Sequence, residues 1–185
     1  MLVLAISGSL RAGSHNTALL REVAQRAPEG VEVELYDGLE SLPPYNEDRD
    51  TALAPAPVSE LRRMIKMADA VLISTPEYNG TVPGQLKQVV DWASRPRGPE
   101  AALFGKPVAV IGASATDYGA IWAQDHLRKA LGIAGARVLD VELPVARAAE
   151  KFDADGRLAD EETVTQLEAI LARLQEQHES LAIAA

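Results

Sequence analysis

The sequence predicts a three-layer α/β sandwich, a five-stranded parallel sheet with helices on both faces. Three observations carry that prediction. Strand-like and helix-like runs alternate along the chain, with no repeat or low-complexity tract between them. Three of the strand-like runs are continuously apolar, as in strands covered by helices on both sides. The other two alternate apolar with polar residues, as in strands with one face less covered.

The first strand is the apolar run Leu2-Val3-Leu4-Ala5-Ile6. It leads through a Gly/Ser loop into a helix that starts near Asn16 and carries Leu19, Leu20, Val23 and Ala24. In the second strand Val31, Val33 and Leu35 alternate with Glu32, Glu34 and Tyr36. The stretch from Asp37 to Pro57 has prolines at 43, 44, 55 and 57 and no period, so it reads as a long loop, functional or mobile. A second helix is expected from about Ser59 through Leu61, Ile65 and Ala68, before the apolar strand Ala70-Val71-Leu72-Ile73. A third helix follows Pro83 with Leu86, Val89, Val90 and Trp92, and the strand Val108-Ala109-Val110-Ile111 comes after it. A fourth helix covers Ile121 to Leu131, and the fifth strand is read where Val141 and Leu143 alternate with Asp140 and Glu142. The last helix places Val164, Leu167, Leu171, Leu174, His178 and Leu181 at three- and four-residue steps, with Asp160 as its N-cap.

Central strands should be the first, third and fourth, and edge strands the second and fifth. The order 2-1-3-4-5 meets that division with right-handed crossovers throughout, and it is the flavodoxin-like order; burial pattern favours it without strictly excluding other doubly wound orders.

A chain of 185 residues is expected to form one domain, residues 1–185, with enough core to need no metal or disulfide staple. Apolar residues at 47% and charged residues at 24% argue against wholesale disorder. Eighteen Lys and Arg against 27 Asp and Glu give a net charge of −9, which disfavours a duplex-nucleic-acid binder. The absence of cysteine excludes disulfides, thiolate metal sites and a Cys nucleophile. No apolar run approaches the ~18 residues of a membrane span, and the expected location is the cytoplasm.

In an open parallel sheet, ligands bind beyond the carboxyl ends of the strands where the strand order reverses. Here that point lies between the first and third strands, whose following loops are Ser7–Thr17 and Thr75–Gly84. The first loop is suited to a phosphate. It opens a helix, whose N-terminus offers free N–H groups, and it carries Ser9, Ser14, Asn16 and Thr17 as further donors. Arg11 is its only fixed cation. The net charge of −9 is screened beyond ~8 Å. One guanidinium at ~4 Å from a phosphate is worth on the order of 4 kcal/mol at an effective dielectric near 20, so the local donors win. Ser14-His15 stands where a Walker loop needs Lys followed by Ser or Thr, and no G-x-G-x-x-G is present, so a monophosphate nucleotide fits best. The second loop offers Tyr78 as a flat wall and Asn79 as donor and acceptor, with main-chain amides for the edge of a planar heterocycle.

Gly8-Ser9-Leu10-Arg11 with Ser14 and Asn16, then Thr75-Pro76-Glu77-Tyr78-Asn79, Val82-Pro83-Gly84, Leu86-Lys87, Asp91-Trp92 and Gly105-Lys106-Pro107 closely resemble the NADPH-dependent FMN reductases, which include bacterial quinone, chromate and azo-dye reductases of flavodoxin-like fold. The resemblance covers most of Leu2 to Arg128. It implies that Ser9, Arg11, Ser14 and Asn16 hold the FMN phosphate, with Leu10, His15 and Thr17 in the same loop. It implies that Pro76, Glu77, Tyr78, Asn79 and Gly80 lie along the flavin ring, and that Ser114 touches the flavin. It further implies NAD(P)H as co-substrate, small electron acceptors such as quinones, and a homodimer or homotetramer. Gly80-Thr81 and Ala115-Thr116-Asp117-Tyr118 depart from the family's commoner residues. No catalytic side chain is expected, because the cofactor carries the hard chemistry; Glu77 reads as a loop charge or backbone acceptor.

Three other readings carry less. A non-enzymatic flavodoxin-like electron carrier or redox-sensing partner protein would suit the acidity, and turnover separates it from an enzyme. Ser114, Asp140 and His178 follow one another in the order of a hydrolase triad, but the Gly that ends a nucleophile elbow is missing and His178 belongs to an apolar stripe. His15, His126 and His178 show no metal-ligand spacing.

Overall fold

The computed structural model describes residues 1–153 and 155–184. In chain order the elements are β1 (Leu2–Ser7), α1 (His15–Gln25), β2 (Glu32–Tyr36), α2 (Ala56–Met67), β3 (Ala70–Thr75), α3 (Gly84–Ala93), β4 (Pro107–Ala113), α4 (Ile121–Ile133), β5 (Arg137–Val138), β6 (Pro144–Val145), α5 (Ala148–Lys151) and α6 (Glu161–Ala184). The sheet order is β2-β1-β3-β4-β5, every pairing parallel, as the burial pattern predicts. Successive residues of the central strands point to opposite faces, so each strand feeds two cores. On one face Leu4, Ile6, Val71, Ile73, Val108 and Val110 pack under α2, α3 and α4. On the other Val3, Ala5, Leu72, Ala109 and Ile111 pack under α1 and α6.

The fifth strand position is built differently from the expected one. Strand pairing occurs at Arg137–Val138 and again at Pro144–Val145, both against β4, while Asp140 to Leu143 form no strand. Leu139 and Leu143 are buried and Val141 packs against the same core, so the segment stays anchored although its ladder is interrupted. The buried Gln124 amide of α4 fills the gap: its Oε1 accepts the Leu143 N–H at 3.3 Å, and its Nε2 donates to the carbonyls of Gly119 and Leu143. The Leu143 carbonyl also accepts the Gly112 N–H of β4 at 3.2 Å, so the side chain supplements main-chain pairing there.

Helix α2 starts at Ala56, three residues before the expected start, because Pro57 falls in the first turn, where its missing N–H costs nothing. Much of the Asp37–Pro57 loop is pinned, not loose. The Trp92 indole donates to the Pro43 carbonyl at 2.8 Å, and the Gln85 amide donates to Leu39 and Leu42. The Tyr45 N–H donates to Gln88 at 2.6 Å, and Leu39 and Leu42 are buried. Asp160 caps α6 as expected, accepting from the Thr163 N–H at 3.0 Å.

Candidate functional site

Strands β1, β3 and β4 all end at one edge of the sheet, and the loops that follow them meet there. Asn16, in the first turn of α1, bolts these loops together. Its Nδ2 donates to the Ala113 carbonyl at 3.0 Å, and its Oδ1 accepts from the Ala113 N–H at 2.9 Å and the Ser74 hydroxyl at 2.8 Å. Asn16 is buried, and so is Ser74. Gly8 is needed where the first loop leaves β1: a Cβ there would stand 2.6 Å from Leu86 and 3.0 Å from Pro76.

The first loop then turns on its own hydroxyls. Ser7 Oγ pairs with Thr17 Oγ1 at 2.8 Å, Ser9 Oγ accepts the Arg11 N–H, and Ser14 Oγ caps α1 by accepting the Thr17 N–H at 3.3 Å. Ser14 and Thr17 therefore shape the loop with their side chains. The N–H groups of His15 and Asn16, the first two of the helix, find no acceptor among the described residues and remain free, as helix geometry dictates. Arg11 is exposed and has no acidic partner among the described residues.

Two adjoining clefts lie over this edge. One, of about 250 Å³, is lined by Ser9, Arg11, Ser14, His15, Asn16, Pro76, Glu77, Tyr78, Ala113, Ser114 and Ala115. The other, of about 280 Å³, is lined by Gly8, Leu10, Arg11, Tyr78, Pro83, Gly84 and Gln85. Arg11 and Tyr78 border both, and Tyr78 is half-exposed. Ten of the thirteen residues singled out in the sequence line one or other cleft: Ser9, Leu10, Arg11, Ser14, His15, Asn16, Pro76, Glu77, Tyr78 and Ser114. Thr17, Asn79 and Gly80 line neither. Thr17 is occupied with Ser7, and Asn79 and Gly80 form the tip of a two-residue hairpin closed by Tyr78 and Thr81, with φ of 53° and 72°. An Asn-Gly pair is the preferred chemistry for such a turn.

Gly8, Pro83, Gly84, Gln85, Ala113 and Ala115 complete the walls, and the sequence reading did not name them as site residues. Small or backbone-contributing residues give no chemical signal; only their position after strand ends would have found them.

Glu77 serves as the backbone acceptor that its loop position suggests. Its Oε2 accepts the Ala123 N–H at 3.1 Å, in the first turn of α4, where a carboxylate is favoured. The hydrolase triad is not assembled. Ser114 Oγ pairs with Thr116 at 2.8 Å, Asp140 pairs with Arg128 at 3.1 Å, and His178 faces Asp69 at the opposite edge of the sheet. The three histidines stand apart: His15 in the cleft, His126 beside Thr81, and His178 on α6.

Larger hollows exist elsewhere. One of about 400 Å³ lies beside the N-terminal ends of β4 and β5, and one of about 580 Å³ lies between Tyr45, Arg62 and Arg97. Neither lies at the carboxyl ends of the strands, where this architecture binds ligands. The pair of clefts at that edge combines N–H groups and a guanidinium that have no partner among the described residues with an apolar, aromatic wall. That donor set fits a phosphate at one end and a planar ring at the other, as in FMN.

The chain matches the family model described as NADPH-dependent FMN reductase over residues 1–150. It is 44% identical over 174 residues to an NAD(P)H-dependent FMN reductase of Pseudomonas aeruginosa, covering 94% of this chain and 92% of the relative. It is 36% identical over 159 residues to a 2-hydroxy-1,4-benzoquinone reductase of a Burkholderia species, covering 85% of each. Among solved structures, the flavoenzyme NAD(P)H:(acceptor) oxidoreductase FerB of Paracoccus denitrificans superposes with a TM-score of 0.86 at 37% identity, covering 97% of both chains. With the site's geometry and these likenesses in agreement, the chain belongs to the NADPH-dependent FMN reductase family.

Proposed function

We propose that this protein is an FMN-dependent NAD(P)H oxidoreductase that takes hydride from NAD(P)H and passes electrons to quinones or other small acceptors such as chromate, azo dyes or free flavin. The observation that carries it is the pair of clefts at the switch point, with an anion-binding end and an aromatic end joined at Arg11 and Tyr78. The quinone reductases among the relatives favour quinones as acceptors.

In this reading Arg11, Ser9 and the N–H groups of His15 and Asn16 hold the phosphate. Leu10, Pro76, Glu77, Tyr78 and Ser114 border the ring, while Thr17, Asn79 and Gly80 set the shapes of the loops. Bound FMN supplies the hydride-accepting and electron-donating chemistry. The chain's part is to bind, orient and leave one ring face open, and no side chain is assigned a proton-transfer role.

In this reading residues 1–185 work as one FMN-binding domain in the cytoplasm, where NADPH is supplied. Among the described residues no helix is long and apolar enough to cross a membrane. A homodimer or homotetramer fits the exposed Leu10, Tyr78, Tyr118 and Trp122, which lie on the loops and helix around the clefts and would be covered by a second copy.

The test is an absorption spectrum of purified protein after FMN loading and removal of excess, followed by NADPH and a quinone in the same cuvette. Retained flavin bands and steady NADPH oxidation are expected. Bound flavin without turnover would mean a carrier that needs a separate reductase, and loss of flavin at micromolar concentration would overturn the reading.

A further inference from the structure

The segment after residue 150 lies beyond the stretch matched by the family model, yet it packs against His15, one of the residues that line the cleft. Phe152 packs its ring on the ring of His15, with centroids 5.3 Å apart and planes 31° from parallel. Both residues are half-buried, and Phe152 belongs to the apolar cluster under α1 and α6. Its backbone is fixed on either side. Phe152 forms an antiparallel bridge with the buried Leu158, and the neighbouring Lys151 Nζ is held by Asp160 at 2.8 Å and Thr163 at 3.2 Å.

His15 is thus held as a fixed group in the wall of the cleft, beside Arg11 and Ser14. It is also the first residue of α1, where its own N–H is free. Acidic groups of the cleft and of the neighbouring segments have partners of their own. Glu77, in the same cleft, accepts from Ala123. Asp153 accepts the N–H groups of Asp155 and Arg157, and Asp117, on the loop after Ser114, pairs with Arg147 at 2.5 Å. Arg11 and His15 are left as the two cleft groups able to offer positive charge to an anion.

We propose that His15, positioned by Phe152, is a titratable phosphate-binding residue, so that the protein's preference for FMN over riboflavin rises as pH falls. This rests on the FMN reading above. Histidine is the side chain that ordinarily gains its charge between pH 8 and 5, and a protonated ring has N–H donors at both nitrogens. Riboflavin shares the ring and lacks the phosphate, so the ratio of the two affinities isolates the phosphate end.

The experiment titrates flavin-free protein with FMN and with riboflavin by flavin fluorescence at about pH 8 and about pH 6, the range over which histidine charges. Wild type should show an FMN-to-riboflavin affinity ratio about tenfold higher at the lower pH, the low end for one charge-assisted hydrogen bond. His15→Gln should lose that rise, keeping only the change due to the phosphate's own protonation. Phe152→Leu keeps an apolar side chain in the core but removes the aromatic partner; it should reduce the rise, and Phe152→Tyr should restore it. A wild-type ratio that changes with pH no more than that of His15→Gln would overturn the proposal while leaving the FMN reading intact. If His15→Gln and Phe152→Leu weaken both flavins equally, His15 only packs, and the proposal fails in the same way. Wild type that binds neither flavin would bring down the FMN reading itself.

Discussion

Asn16 shows how one side chain can belong to a site and to the fold at once. Three of its four side-chain hydrogen-bonding positions go to Ala113 and Ser74, tying α1 to the ends of β3 and β4. Removing it leaves the buried Ala113 backbone groups without partners. Asn16→Ala is expected to cost about 3 kcal/mol of stability, since each orphaned buried polar group costs about 1–3 kcal/mol. Denaturant unfolding of the flavin-free protein measures this, and a change under about 0.5 kcal/mol, the size of an ordinary surface substitution, would contradict the role. The sequence marked Asn16 as a ligand donor and gave no sign of the strand-bridging job, because its partners are 58 and 97 residues away. Asn79 carries a local signal of the opposite kind. It was read by its functional groups, whereas the Asn-Gly pair was a turn signal, and the positive φ at both residues follows from it. Tyr36 has no role in the site: burial, aided by Asp37 and Glu60, pushes its phenol up to about 12.

Elements with strong periodicity were legible, and those set by long-range partners were not. The continuous apolar runs mark β1, β3 and β4 because helices cover both faces, and Glu32, Glu34 and their neighbours mark β2 as an edge. The split of the fifth strand position was hidden. Val141 and Leu143 do alternate with polar residues, but the deciding partner, Gln124, comes from a helix. The tight passage at Gly119, with φ +57° and a Cβ position 2.3 Å from the Pro144 carbonyl carbon, was hidden for the same reason. Lys106, part of the Gly-Lys-Pro motif, donates to the carbonyls of Lys66 and Ala68 at the end of α2; its partial burial lowers its pKa, opposed by Asp69.

The N-cap of α6 makes a prediction at this scale. Hydrogen bonds from Lys151 and Thr163 hold the Asp160 carboxyl at about 2, below its ordinary 3.8. A depressed carboxyl contributes stability above its unfolded value and loses it as pH falls through the folded one. Asp160→Asn should therefore be less stable than wild type near neutrality, with the gap closing as pH falls from about 4 to about 2. Thermal melts across that window measure it, and a gap that does not vary with pH would contradict the assignment.

At the scale of the whole molecule, the burial pattern with right-handed crossovers favours the strand order that the structure adopts, and that order sets where a ligand is expected. Edges at β2 and β5 put the reversal between β1 and β3, and the loops after them turn out to border both clefts. A net charge of −9 does not oppose an anionic ligand there, because screening leaves the local donors in control. What could not be read was the contribution of the chain after β6, where Phe152 meets His15, since a lone aromatic residue in a loop carries no period and no motif. The central claim is that a flavin phosphate sits on the loop after β1 with Arg11 as its cation. The most direct measurement compares FMN and riboflavin affinities in wild type and Arg11→Ala. Arg11 is exposed and has no acidic partner among the described residues, so the fold should be untouched. FMN affinity should fall by about 1–3 kcal/mol, the loss of a charged hydrogen-bond partner, with riboflavin affinity unchanged. Unchanged FMN affinity, or an equal loss for both flavins, would place the phosphate elsewhere.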